Sequence, residues 1–350
     1  MLITFWVAAL ASAGLVALLS PWLKRQQMLD RPGARRLHQQ PTARGGGLAI
    51  VVVVAFYLGE QMIFDSARWD IVLFAGGLLA VAIVGWCDDR SSLGIWPRLL
   101  VHALAGVAVA LLVLDHNGSG LALHLAIWPL LTLIVFSVVA GINLHNFMDG
   151  ANGMLAAQAG FVFAMLSVWP SADPTLAMLG LVALAAVLGF LPFNFPQARV
   201  FLGDVGSGAL GYLIIALCWW ALAKARVSVA EVLLLNSLFL IDSGCTLGWR
   251  LRHRKRWWRA HREHLYQWLV RSGASHAGVV IAYQLFNLLL VLPLLWALRQ
   301  DQTAATADWT LASIRLGNWH SIAALIGVLA LGIGGWLALK RACLARLRAQ

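Results

Sequence analysis

Charge is scarce in this 350-residue chain: Asp, Glu, Lys and Arg make up 12% of it, against 61% hydrophobic residues and a mean hydropathy of +0.78. That composition excludes an ordinary soluble protein, in which about a quarter of the residues are charged. Cysteine is as thin. Cys87, Cys218, Cys245 and Cys343 stand singly with no C-x-x-C pair, so neither a disulfide framework nor a zinc cage is indicated and all four read as small apolar fillers. No G-K-[ST] follows a glycine run and no HExxH occurs, which removes the P-loop and that class of zinc site. The opening MLITFWVAALASAGLVALLSPWLKR lacks a basic segment ahead of its apolar stretch and reads as an uncleaved first span. No internal repeat is visible, and the gaps between apolar runs are short, which points to one compact helical domain over 1–350.

Long apolar runs are what the chain has instead. A hydrocarbon layer about 30 Å thick takes roughly 20 apolar residues per helical span. Eleven runs of about that length occur, near 1–23, 46–64, 71–87, 97–114, 122–142, 154–169, 175–192, 207–223, 229–249, 276–298 and 319–339; several are short, so ten spans stay open. The expected fold is an all-α polytopic membrane bundle. The odd-numbered gaps and the C-terminal tail hold 21 of the 26 Lys and Arg residues, and the even gaps only Arg68, Lys224, Arg226, Arg299 and Arg315. By the positive-inside rule the odd gaps and the C-terminus are cytoplasmic and the N-terminus faces outward. A net charge of +11 suits a face that meets anionic headgroups or anionic substrates.

Ionisable side chains at mid-helix in a bilayer cost about 2.5 to 3.5 kcal/mol each, so where they sit is informative. Five polar stretches fall in odd gaps: DRPGARRLHQQPTARGGGLAI from 30, GWCDDRSSLG with Asp88 and Asp89, NLHNFMDGANG from 143, VFLGDVGSGALGY from 200, and RAHREHLYQWL from 259. Two adjacent aspartates alone read as a solvated helix end, but at an apolar boundary they are easier to hold with a cation or a basic partner. Asp204 lies between glycines in G-D-x-G-S, where Ser207 and the amides opening the next span could receive an anion, or where Asp and Ser merely cap a helix. Asp204 with the amide oxygen of Asn146 would make an economical magnesium site, completed by water and phosphate oxygens. His261 and His264, in an arginine-rich loop, read as donors to phosphate, and a loop that binds lipid headgroups fits the same charge run. Trp257 and Trp258 read as interfacial anchors. Gly45 to Gly47 allow close approach of another backbone or of a nucleotide.

In series, these residues resemble the polyprenyl-phosphate N-acetylhexosamine-1-phosphate transferases of glycosyltransferase family 4, which initiate O-antigen, lipopolysaccharide and teichoic acid synthesis. The likeness runs from about residue 30 to 270: R-x-x-H-x-x-P-x-x-R-G-G, DDR, N-x-x-N-F-x-D-G-x-x-G, F-x-G-D-x-G-S and the histidine-bearing basic loop at 250–275. Each motif is weak alone, and five in order on one predicted face are strong. What the resemblance implies is a single transmembrane transferase domain of ten or eleven helices with its site at the cytoplasmic face of a bacterial inner membrane. It would move a sugar 1-phosphate from a UDP-N-acetyl sugar to undecaprenyl phosphate, with Mg2+ as cofactor and Mn2+ as a substitute. Membrane lipid is its surround, nucleic acid is not a partner, and a homodimer is compatible with it.

Carried over by motif, Asp88, Asp89 and Asp204 are the catalytic carboxylates, and Asp204 and Asn146 the magnesium ligands. Asp149 and Asn152 match nucleoside contacts, and His261, Arg262 and His264 a loop over the diphosphate. His38 and Arg44 join the substrate-binding set. Two departures stand out: Asn152 occupies a place where many relatives have Asp, and H-R-E-H-L-Y-Q lacks a third histidine at or near Tyr266. Two rival classes compete with this reading. A secondary transporter would place carboxylates near the midplane on broken helices, often in repeated halves; a CDP-alcohol phosphotransferase would carry a denser series of aspartates on consecutive helical turns.

Overall fold

The structure, a computed structural model, describes residues 1–31, 40–64, 68–117, 127–168, 173–224, 227–256, 261–300, 309–311 and 314–349. His38, Trp257 and Trp258 lie outside these residues. Each of the eleven apolar runs contains helix: α1 Leu2–Arg25, α2 Leu48–Phe64, α3 Trp69–Ser91, α4 Ile95–Asn117, α5 Ile127–Phe147, α6 Met154–Val168, α7 Pro174–Asn194, α8 Gly203–Ala223, α9 Val229–Leu235 with α10 Ser237–Arg252, α12 His276–Phe286 continued by a π-helical turn into α13 Leu292–Gln300, and α14 Trp319–Ala349. Among the described residues, eight helices are long and apolar enough to cross a membrane. α2 and α6 are shorter apolar helices.

Two features depart from the sequence reading. The run at 229–249 is not one straight span: α9 and α10 meet at a bend of 78°, where Asn236 leaves helical geometry and returns its amide to Val232 O at 2.9 Å. The basic stretch at 250–275 is also not irregular throughout, because Leu265–Arg271 forms a short helix, α11. A small sheet was not foreseen either. β1 Leu29–Asp30 pairs antiparallel with β2 Thr42–Arg44, which runs parallel to β3 Val200–Phe201. It ties the segment that carries Arg44 to the one that leads into α8.

α8 is the axis of the bundle, buried along nearly its whole length and packed between α3 and α5. In a lipid environment water drives no apolar association between helices, so close van der Waals approach must do that work, and small residues permit it. A Cβ on Gly85 of α3 would lie 2.5 Å from the Asp204 carbonyl oxygen, and one on Gly47 would lie 2.2 Å from Gly206 Cα. Tyr212 Oη donates to Phe74 O at 3.0 Å and Trp219 Nε1 to Ser137 Oγ at 2.7 Å, giving polar ties to each neighbour.

The predicted alternation of gaps is visible in the contacts. Residues of odd gaps meet one another, as Arg44 meets Asp89 and Asp204. Residues of even gaps also meet one another, as Arg68 meets Thr175 and Lys224 meets Asp173. Burial raises the Asp173 pKa, but the Lys224 hydrogen bond and the amides of Leu176 and Thr175 outweigh it and leave the carboxyl below its ordinary range.

Candidate active site

Four helix ends and one strand build the site. α3 ends in C-D-D-R, so Asp88 and Asp89 fall in its last turn, and successive helical residues point in directions about 100° apart. Asp89 faces α8. Its Oδ1 accepts the Asp204 amide at 2.8 Å and its Oδ2 the Val205 amide at 3.0 Å. The anion at the start of α8 is thus the protein's own side chain, which satisfies orphan amides and complements the helix dipole. Gly203, at φ +74°, makes this approach possible: a Cβ there would sit 2.5 Å from Asp89 Oδ2. Asp88 faces α4 instead, accepting from the Leu93 amide at 2.6 Å and from Arg98 Nη1 at 2.7 Å.

Arg44, delivered by β2, bridges two carboxylates: Nε lies 2.6 Å from Asp89 Oδ1 and Nη2 2.7 Å from Asp204 Oδ2. Burial opposes the guanidinium's charge, but Asp204, Asp89 and Asp30 together hold its pKa above the ordinary value. Arg98 Nη1 lies 4.0 Å from the same Asp204 oxygen. The Asn146 amide, in the last turn of α5, is oriented by its neighbours: its nitrogen donates to Asp204 Oδ1 at 3.3 Å and to Ser207 Oγ at 3.2 Å, while its oxygen accepts from Arg98 Nη2 at 3.0 Å.

A cavity of about 220 Å³ open to one end of the bundle is lined by Arg44, Asp204, Ser207, Asn146, Asp149 and Asn152 together with Asp30, Asn194, Tyr266, Gln267 and His276; Asp88, Asp89 and Arg98 lie behind this lining and not in it. Of the four polar residues at three-residue spacing, Asn146, Asp149 and Asn152 reach the cavity. Asn143 turns to α4, with its amide on Val139 O and 3.5 Å from His102 Nδ1. α5 ends at Phe147, so Asp149 and Asn152 lie in the loop beyond the helix, which Asn194 fastens by accepting the Gly153 amide at 2.8 Å. Burial, reinforced by the Asp204 charge, pushes the Asp149 carboxyl well above its usual range.

The histidine loop is placed differently from the expectation. Tyr266 and Gln267 line the cavity, whereas His261, Arg262 and His264 do not. His264 is buried with its Nδ1 3.8 Å from Asp242 Oδ1, and its ring stacks on His261 at 5.0 Å and on Tyr266 at 5.9 Å. The cause is Asp242 of α10, which captures the start of α11. Burial, together with charge on His264 and Arg250, lowers the His261 pKa to about 4, so it is neutral at neutral pH.

Sequence reasoning missed Arg98, Asp30, His276 and Asp242 as parts of this region. A lone aspartate within a predicted span is itself a signal, because a charge there needs partners.

Asp204, Asn146 and Ser207 offer only oxygens, the donor type that magnesium takes. To share an ion with Asp204, Asn146 would turn its amide oxygen from Arg98 toward the Asp204 carboxylate. Among the described residues no three His, Cys, Asp or Glu side chains converge as a metal site. An ion here would therefore be held through one carboxylate and one amide and fill its shell from water and phosphate.

Fold and site together define a polytopic membrane protein with an oxygen-rich, arginine-flanked cavity at one end of its helices. Residues 71–221 match the family model described as glycosyl transferase family 4. The chain is 32% identical over 260 residues to the phospho-N-acetylmuramoyl-pentapeptide-transferase of Synechococcus sp. strain JA-3-3Ab, covering 66% of this chain and 74% of that one. It is 26% identical over 300 residues to the Bacillus subtilis strain 168 protein named "Probable undecaprenyl-phosphate N-acetylglucosaminyl 1-phosphate transferase", covering 80% and 81%. It is also 26% identical over 263 residues, 70% of each chain, to the undecaprenyl-phosphate alpha-N-acetylglucosaminyl 1-phosphate transferase of Salmonella typhi. The chain belongs to glycosyl transferase family 4 and is a membrane transferase.

Proposed function

We propose that this protein transfers an N-acetylhexosamine 1-phosphate from a UDP-sugar to undecaprenyl phosphate, releasing UMP at the cytoplasmic face of a bacterial inner membrane. The observation that carries the reading is that Arg44, Asn146 and Asp204, from three separate elements, line one open cavity, while Arg98 of α4 stands behind them between Asp204 and Asp88. The relatives' names supply the substrate class. The charges sit at helix ends and not at the midplane, which favours a surface transferase over a transporter.

Attack of one phosphate on the β-phosphorus of a UDP-sugar brings two anions together, so the protein's task is to neutralise charge and align the groups. Arg44 and Arg98 supply fixed positive charge beside Asp204. A divalent ion held by Asp204 and Asn146 would add Lewis-acid stabilisation of the diphosphate and of departing UMP. A phosphate monoester has its second pKa near about 6, so the acceptor is already largely ionised at neutral pH. Asp88 is the carboxylate assigned to orient it, because the Asp89 side chain has no exposed area and both of its oxygens hold α8. Asn152 and Gln267 offer neutral polar groups for the nucleoside end.

Membranes containing the protein should release UMP from a UDP-N-acetyl sugar only when undecaprenyl phosphate and Mg2+ are both supplied. Asp204→Asn should remove that release at unchanged abundance. Activity that survives Asp204→Asn with the same Mg2+ dependence would overturn the metal assignment, and a panel of UDP-sugars with lipid extraction identifies the donor.

A further inference from the structure

Asp242 is a carboxylate 1% exposed within the bent α9–α10 pair, and nothing in the proposed chemistry uses it. Five donors surround it. Oδ1 accepts from the Leu265 amide at 2.7 Å, Trp336 Nε1 at 3.2 Å and Thr246 Oγ1 at 3.3 Å; Oδ2 accepts from Tyr283 Oη at 2.8 Å and the Tyr266 amide at 3.3 Å. A buried charge persists only when its lone pairs are filled, and here the donors come from α10, α11, α12 and α14. Two of them are the first amides of α11, the helix whose Tyr266 and Gln267 wall the cavity.

Trp336 is held in turn. Lys340, one helical turn further along α14 and 2% exposed, sets its ammonium 4.3 Å from the Trp336 ring and 4.0 Å from the Trp249 ring. Among the described residues Lys340 Nζ has no hydrogen-bond partner. Its charge is therefore met by two aromatic faces, which fixes the indole edge toward Asp242. On the other side of α11, Tyr266 Oη donates to Phe147 O at 3.0 Å, so the wall is clamped between α14 and the end of α5. Asp242, Trp336 and Lys340 all lie outside residues 71–221.

We infer that Asp242 and Trp336 are positioning residues: the C-terminal helix, acting through the Trp336 indole and the Asp242 carboxylate, holds the first turn of α11 in place as a wall of the substrate cavity. The inference rests on the proposed function for the identity of the cavity's occupant, and its test separates the two. Trp336→Phe keeps an aromatic face for Lys340 while removing the N–H donor together with part of the ring volume; Asp242→Asn leaves the volume and takes the charge. Hydrogen exchange on the full chain in detergent micelles should speed at residues 264–267 by about tenfold for Trp336→Phe and by more for Asp242→Asn, with the amides of α8 unchanged. UMP, used as the probe, should bind Trp336→Phe about three- to tenfold more weakly than the parent.

Unchanged exchange at 264–267, or a rise spread equally over α8, overturns the inference, since the second result marks general loosening. Faster local exchange with unaltered UMP affinity overturns it too, because the tether would then not shape the cavity. Failure of the parent chain to bind UMP would sink the nucleotide reading, and the tether would then be judged on the exchange at 264–267 alone.

Discussion

The two adjacent aspartates should separate into a residue that holds the fold and one that serves the chemistry. Asp89 has no exposed side-chain area and gives both oxygens to the amides of Asp204 and Val205 while pairing with Arg44 at 2.6 Å. Asp89→Asn replaces one acceptor with a donor that faces an amide of α8, at a cost of about 1 to 3 kcal/mol for the group left unpaired. Breaking a buried ion pair from one side costs about 3 to 5 kcal/mol, and the lower end applies because Arg44 is 24% exposed and keeps Asp204. The expected loss is about 3 kcal/mol.

Asp88→Asn keeps an oxygen for the Leu93 amide and frees Arg98, which is 25% exposed and retains the Asn146 oxygen. Asp88 is itself only 8% exposed, but one amide oxygen still serves Leu93 and no helix-capping contact is lost, so the cost is about 1 kcal/mol. Thermal melts of the purified chain in micelles, followed by intrinsic fluorescence, should place Asp89→Asn well below Asp88→Asn. UMP release should be lost in Asp88→Asn while its melt stays close to the parent's. An Asp89→Asn protein as stable as the parent, or an active Asp88→Asn, would refute the division of labour.

Acid should loosen the segment at 261–264. Burial raises the Glu263 pKa, but Lys255 and Arg250 outweigh it and leave it below the ordinary value, so its stabilisation is present above the unfolded pKa and lost as pH falls through the folded one. His261, lowered to about 4 by burial, binds fewer protons folded than open between that value and about 6.5, which also favours opening as pH falls. Proteolysis at 250–264 should accelerate from pH 7 toward pH 5, the range His261 governs, and do so less in His261→Gln, with the Glu263 contribution following only at lower pH; slower cleavage in acid would contradict the assignment. Gly85→Ala should abolish UMP release without removing any polar side chain, because the added Cβ meets the α8 backbone 2.5 Å away at Asp204 and forces α3 and α8 apart. Normal turnover in Gly85→Ala would show that the α3–α8 spacing does not set the site.

Sequence alone determined the class of fold and where the apolar helices lie, because the cost of exposing polar groups to hydrocarbon is exacted residue by residue and is local. It also named Asp204, Asn146, Asp149, Asn152 and Arg44, since polar residues at helix ends stand out in so apolar a chain. Tertiary structure alone decided that Asp89 caps α8 while Asp88 faces Arg98, a difference set by about 100° of helical rotation and by what packs on each side. It decided that the run at 229–249 bends at Asn236, and that Tyr266 and Gln267 reach the cavity while His264 is drawn back toward Asp242. Those outcomes depend on donors as far apart as Thr246, Leu265, Tyr283 and Trp336 meeting at one carboxylate. Such a meeting is a product of helix packing in three dimensions, and no local pattern of residues encodes it.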